Sequence, residues 1–166
     1  MANSFYLDAS ALAKRYIPEK GSILVDEILD NVPANRIHVL NIGTGEVMWI
    51  LVRKRNAGAM SPAEFARASA NFTAEIVSAT SVAKASVTSR LVTSSFPLIV
   101  AHSINSTDAI TLKSALAIAR KLRRAGDDLV LVASDQRLLR AAQAEELTTF
   151  NPETQDQAAL AALVGQ

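Results

Sequence analysis

The chain contains no cysteine. That absence excludes a thiol nucleophile, a zinc-thiolate centre and a disulfide framework, and it fits a reducing compartment. Only two histidines occur. His38 falls in a strand-like run and His102 late in an apolar segment, so neither forms a metal-binding pair and both read as structural or surface groups. No uninterrupted apolar run approaches the length that spans a bilayer. Met1 to Ser4 lacks a basic region followed by a long apolar one, so the expectation is a cytoplasmic chain without a signal peptide. There is no G-x-x-x-x-G-K phosphate loop, which argues against a nucleotide-driven motor. Neither sign of charge dominates, the net being +1, so any polyanion contact would be a local patch. The candidates are Lys14-Arg15, Arg53-Lys54-Arg55 and Arg120-Lys121-Leu122-Arg123-Arg124, each of which also suits the C-terminal turn of a helix.

At 166 residues the chain fits one compact domain, long enough to bury about 70% of the surface its unfolded form exposes. Ser4 to Leu7 is a buried-strand pattern that stops at Asp8. Ala9 to Ile17 has helical spacing and is halted by Pro18. Gly21-Ser22 opens a helix with Ile23, Leu24, Ile28 and Leu29 as its apolar stripe. Arg36 to Leu40 reads as a strand, Asn41 to Gly45 as a flexible connection, and the helix beyond carries Glu46 in its first turn with Val47 to Val52 buried on most sides. Ser61, Pro62 and Glu64 form a capping box for a helix reaching about Thr80. Between Ser78 and Ser95 the pattern is weak; Ala85 to Thr88 suits a short strand, and Pro97 implies a kink or break. Ser106 or Thr107 should cap a helix over Ala109 to Ala125 that closes at Gly126. A strand to Ala133, a helix from Gln136 to Glu145, an edge strand Leu147 to Phe150 and an alanine-rich tail helix from Gln155 to Val164 complete the series. Strand and helix alternate, which predicts a mostly parallel sheet with helices on both faces. The domain reading is 1–152, with 153–166 as its helical tail.

Four acids share a position in this scheme. Asp8, Glu46, Asp108 and Asp135 each occupy a strand-to-helix junction or the start of a helix. Taken singly, each is an ordinary cap or first-turn acid. Together, at the carboxyl ends of parallel strands where ligands collect, they would repel one another and raise one another's pKa. A bound cation relieves that repulsion. Oxygen-only ligands point to magnesium or manganese rather than zinc or copper, and such ions support phosphodiester displacement. Ser10 has no histidine partner and is best read as orienting Asp8 or capping the first helix.

The stretches Tyr6-Leu7-Asp8-Ala9-Ser10-Ala11-Leu12-Ala13-Lys14-Arg15-Tyr16, then Glu46, then Thr107-Asp108-Ala109-Ile110-Thr111-Leu112, then Ala133-Ser134-Asp135-Gln136-Arg137-Leu138-Leu139-Arg140-Ala141-Ala142 resemble the PIN-domain ribonucleases, especially VapC-type toxins of toxin-antitoxin pairs. The likeness spans residues about 4 to 152. Many relatives carry a Ser or Thr and bulky apolar residues before the glutamate, where this chain has Asn41-Ile42-Gly43-Thr44-Gly45. The resemblance implies a three-layer α/β/α PIN-like fold and a metal-dependent endoribonuclease acting on single-stranded or structured RNA. It implies Asp8, Asp108 and Asp135 as metal ligands, with Glu46 holding the ion or activating water. It also implies Mg2+ or Mn2+ as cofactor, a homodimer, a cognate antitoxin partner, and basic clusters that guide RNA to the pocket. Two other readings stay open. One is a PIN-like binding module without chemistry. The other is a phosphoacceptor signalling domain, which would want a lysine at the end of a strand, and none is evident.

Overall fold

The computed structural model describes residues 2–164; residues 1, 165 and 166 of the two ranges named above lie outside it. Five parallel strands form the sheet: β1 (Asn3–Leu7), β2 (Ile37–Leu40), β3 (Ala83–Ala85), β4 (Asp128–Val132) and β5 (Thr148–Phe150), in the order β3-β2-β1-β4-β5. All five residues of β1 are buried, as expected of the central strand of a sheet covered on both sides. The chain leaves β1 toward β2 and β3, then crosses back to β4 on the other flank. The end of β1 is therefore the point where the strand order reverses, the place where open α/β sheets form their crevice.

Side chains alternate across the sheet with the strand period of two. Phe5, Leu7, Ile37, Val39, Val130, Val132 and Phe150 face one layer. Tyr6, Leu40, Leu129, Leu131 and Ala133 face the other. The first layer holds helices α1 (Ala9–Leu12), α2 (Ser22–Asn31), α3 (Asn41–Asn56), α4 (Pro62–Phe72) and α8 (Gln157–Val164). The second holds α5 (Ser89–His102), α6 (Ser106–Arg123) and α7 (Gln136–Ala144). The three-layer α/β/α arrangement expected from the sequence is present. In the tail helix, Leu160 is fully buried in the first layer's core, and Asn3 Nδ2 donates to the Leu163 carbonyl at 2.9 Å. No helix of the described residues is long and apolar enough to cross a membrane.

Several local expectations are corrected. The segment Asn41 to Gly45 is not a flexible connection but the opening of α3, which follows β2 without a loop. Glycine disfavours a helix interior by about 1 kcal/mol relative to alanine, yet two such residues are tolerated inside a long helix packed on the sheet. That helix buries only Gly43, Val47 and Leu51, leaving Trp49 at 58% exposure, so it is one-sided rather than buried on most sides. In α2 the inward residues are Val25 and Ile28, while Ile23 is 78% exposed. Pro97 lies within an unbroken α5. The first helix is α-helical for one turn and tightens to 3-10 geometry over Ala13–Arg15. The capping box at Ser61 and Glu64 forms as expected, and α4 continues through a π-helical turn to Val77.

Gly21 has a local role that the sequence does not reveal. It adopts φ +90° ahead of α2, and a β-carbon there would stand 2.6 Å from the Pro152 carbonyl oxygen. Gly21→Ala is therefore expected to destabilise the fold by about 2 kcal/mol, combining left-handed strain with a backbone clash. Chemical denaturation checks this; an unchanged midpoint would contradict the tight packing of the α2 entrance on the segment after β5.

Candidate active site

The site begins with the pairing of β1 and β4, in register from Asn3 opposite Asp128 to Leu7 opposite Val132. The Asp8 amide extends this ladder by donating to the Val132 carbonyl at 2.9 Å. Asp8 then caps α1: its Oδ2 accepts from the Ser10 amide at 3.1 Å and from Ser10 Oγ at 2.6 Å. Ser10 Oγ in turn accepts from the Ser134 amide at 3.0 Å. One hydroxyl thus ties the end of β1 to the loop after β4 and holds the Asp8 carboxylate in place, the orienting role expected of Ser10.

Asp135 closes that loop as the N-cap of α7, its Oδ1 accepting from the Arg137 amide at 2.8 Å and the Leu138 amide at 3.1 Å. Asp108 stands in the first turn of α6, whose cap is Asn105 and not Ser106 or Thr107. Asn105 Oδ1 accepts from the Asp108 amide at 2.9 Å, and its Nδ2 donates to Asp108 Oδ2 at 2.7 Å. Sequence reading missed this second residue, although asparagine three positions before an acid is itself a cap signature. Glu46 lies in the second turn of α3 rather than the first, because the helix starts at Asn41. Its Oε2 lies 3.9 Å from where a β-carbon on Gly43 would stand, an ordinary contact.

The four acids share one electrostatic neighbourhood. Burial is the largest influence raising the pKa of Asp8; the Ser10 hydrogen bonds oppose it, and the Asp135 charge adds to it. Glu46 is raised by burial and then by the Asp8 charge. Asp108 is pushed up to about 6, by burial first and then by Asp8, Asp135 and Glu46, with Arg137 acting in the opposite sense. Like charges separated by long stretches of sequence therefore meet at the mouth of the crevice. Among the described residues no three Asp, Glu or His side chains stand close enough to enclose an ion as they are. The donor chemistry, carboxylates with neither imidazole nor thiolate, nevertheless suits a hard divalent cation.

The basic runs divide differently from the sequence expectation. Lys14 is buried and pairs with Glu153 at 2.6 Å and Glu19 at 3.0 Å. Arg15 pairs with Asp30, Asp26 and Glu75. Lys54 pairs with Glu19, Arg55 lies over the Phe65 ring, and Arg123 pairs with Asp128. Lys14 and Arg15 are held by neighbouring acids, so this cluster does not present free charge to a polyanion.

No family model and no curated protein matches the sequence. Among solved structures, PAE2754 from Pyrobaculum aerophilum superposes with a TM-score of 0.64 at 19% identity, over 100% of this chain and 98% of its own. Mycobacterium tuberculosis VapC20, a sarcin-ricin loop cleaving toxin, gives 0.58 at 20% identity over 83% of this chain and 95% of its own. FitAcB from Neisseria gonorrhoeae gives 0.57 at 12% identity over 91% of this chain and 99% of its own. These likenesses define the fold as that of the PIN domain. The chain is similar in architecture to VapC20 along most of both lengths.

The raised Asp108 pKa has a consequence for stability. A folded value of about 6 against an ordinary 3.8 means the folded state binds more protons than the unfolded state between those values. Stability attributable to this group therefore falls as pH rises through that window. Asp108→Asn is expected to raise the melting temperature near neutral pH by about 2–4 °C, a gain of about 1 kcal/mol after allowance for the residue's partial exposure. The gain should vanish near pH 4. Thermal unfolding followed by circular dichroism at both pH values checks this; equal melting curves at neutral pH would contradict it.

Proposed function

We propose that the chain is a divalent-metal-dependent endoribonuclease and the toxin of a toxin-antitoxin pair. The observation that carries the reading is the gathering of Asp8, Glu46, Asp108 and Asp135 at the strand-order reversal of a PIN-domain fold, where burial first and neighbouring acids second raise the pKa values of Asp8, Glu46 and Asp108. Architectural similarity to VapC20, a toxin that cleaves the sarcin-ricin loop, supports RNA as the substrate and an antitoxin as the regulator.

In this reading Asp8, Asp108 and Asp135 hold Mg2+ or Mn2+, with Glu46 completing the set or accepting a proton from water. When bound, the ion supplies a lowered pKa for water and charge neutralisation on the phosphodiester. The chain's own part is preorganisation. Ser10 fixes the Asp8 carboxylate against the β4 loop, Asn105 fixes Asp108, and the α7 amides fix Asp135, so each acid is restrained by its own neighbours, and the set would draw together when the ion binds. The exposed Ile42 and Trp49 on α3, and Phe96 and Val100 on α5, supply apolar surface for the homodimer.

A phosphoacceptor domain is disfavoured by the fate of the strand lysine. Lys84 of β3 donates to the carbonyls of Ile76 and Ala79 instead of facing the acids. A binding module without chemistry has in its favour the open arrangement of the acids.

Cleavage of single-stranded RNA in magnesium or manganese tests the proposal. The native chain should cut, chelator should stop it, and Asp8→Asn and Asp108→Asn should each lose about 100-fold in rate. Equal, chelator-insensitive cleavage by all three proteins would overturn the proposal.

A further inference from the structure

Lys14, Arg15, Lys54 and Arg123 are paired to acids, and the arginine whose charge acts on the carboxylates lies outside the basic runs of the sequence. Arg137 and Arg140 are one turn apart on α7, both exposed, and among the described residues neither has a carboxylate partner within ion-pair distance. They line a cleft of about 510 Å³ whose other wall is the C-terminal end of α5, Ala101 to Ser103, and no acid lines it. On its far side Arg140 also borders a second cleft of about 310 Å³, walled by amides and hydroxyls such as Gln136, Gln143 and Thr149, again with no acid. Arg137 adjoins the carboxylate cluster: its amide donates to Asp135 Oδ1 at 2.8 Å, and its charge acts on Asp108.

We propose that these two clefts form a continuous path for single-stranded RNA, in which Arg137 and Arg140 bind phosphodiester groups flanking the one held at the carboxylates. This rests on the ribonuclease reading and adds the direction in which the substrate runs. Two unpaired guanidiniums one helical turn apart can each take a phosphate through bidentate hydrogen bonds. The uncharged walls beyond Arg140 carry acceptors as well as donors; the donors serve phosphate or base, while the amide oxygens find donors only on base edges, which favours a strand with bases over a small free anion. Positive charge beside the acids also lowers the cost of bringing a polyanion to a negatively charged mouth.

The test uses a labelled single-stranded RNA of about 12 nucleotides, a length suited to a groove of this kind, with binding measured in chelator so that no cutting intervenes. Removing both contacts in the Arg137→Gln/Arg140→Gln variant should weaken binding about tenfold and flatten the salt dependence by about 1.4 in log-log slope, at ~0.7 per single-strand phosphate contact. Arg67→Gln on α4, in the opposite layer, should change neither. Arg140→Gln alone should raise KM more than it lowers kcat in the cleavage assay. Both arginines are surface residues, and matching circular dichroism melts with the native chain establish that the variants are folded; Arg140→Glu offers a second folded variant with a larger expected loss. Native affinity and salt slope in the double variant, equal loss in the Arg67 variant, or no RNA binding by the native chain would each overturn the proposal. If the native chain cleaves RNA while the double variant binds as it does, the path fails and the nuclease stands. If the native chain binds through these arginines but cuts nothing with either metal, the path stands and the nuclease fails.

Discussion

Repulsion among carboxylates at the end of β1 is the constraint around which the molecule is arranged. Burying acids beside one another opposes folding, and the protein counters it with local hydrogen bonds rather than with ion pairs. Asp8 is held by Ser10, Asp108 by Asn105 and Asp135 by two helix amides. Of these partners none is a cation. Arg137 acts against the neighbouring acids, lowering the Asp108 pKa. The charge is thus retained for use rather than neutralised, a pattern more typical of functional sites than of structural ones.

The parallel ladder makes this possible. Because β1 and β4 are neighbours in register, their ends deliver Asp8 and the loop leading to Asp135 to one place. Ser10 Oγ then joins the two by donating to one carboxylate and accepting from the Ser134 amide. Acids that must not be neutralised are kept apart from acids that must be. Glu19, Glu153, Asp26, Asp30 and Glu75 serve Lys14, Arg15 and Lys54 on the first layer. The two carboxylate populations have different jobs.

Much of the scaffold was legible in the sequence because its signals are local. Pro18 and Pro62, the Ser61 capping box, Gly126 and the apolar runs at β1 and β4 each act within a few residues, and the structure follows them. What was not legible depends on the packing of distant segments. Asn41 to Gly45 contains two glycines and reads as a loop, but the sheet beneath α3 supplies a reason to stay helical that propensity lacks. The weak Ser- and Thr-rich pattern puts the short strand at Ala85 to Thr88, whereas β3 is Ala83–Ala85. For the candidate site, Asp8, Asp108 and Asp135 stand at the helix starts where the sequence puts them, whereas Glu46 lies in the second turn of α3 and not the first, for the same reason that α3 starts early. Asn105 escaped notice because two better-known cap residues follow it. Arg137 and Arg140 escaped because an arginine's availability is set by which acids fold next to it. The run Lys14-Arg15 looks more cationic on paper than it is in the folded chain, where both residues are paired with acids.

The Asp8, Glu46, Asp108 and Asp135 carboxylates share one field, which the proposed divalent cation would relieve. Carboxyl-carbon NMR titration of the native chain, with and without saturating magnesium, measures this directly. The expected result is an Asp108 titration near the value of about 6 in metal-free buffer that moves to markedly lower pH when magnesium is added. An Asp108 carboxyl titrating in the ordinary carboxylate range and indifferent to magnesium would contradict the claim.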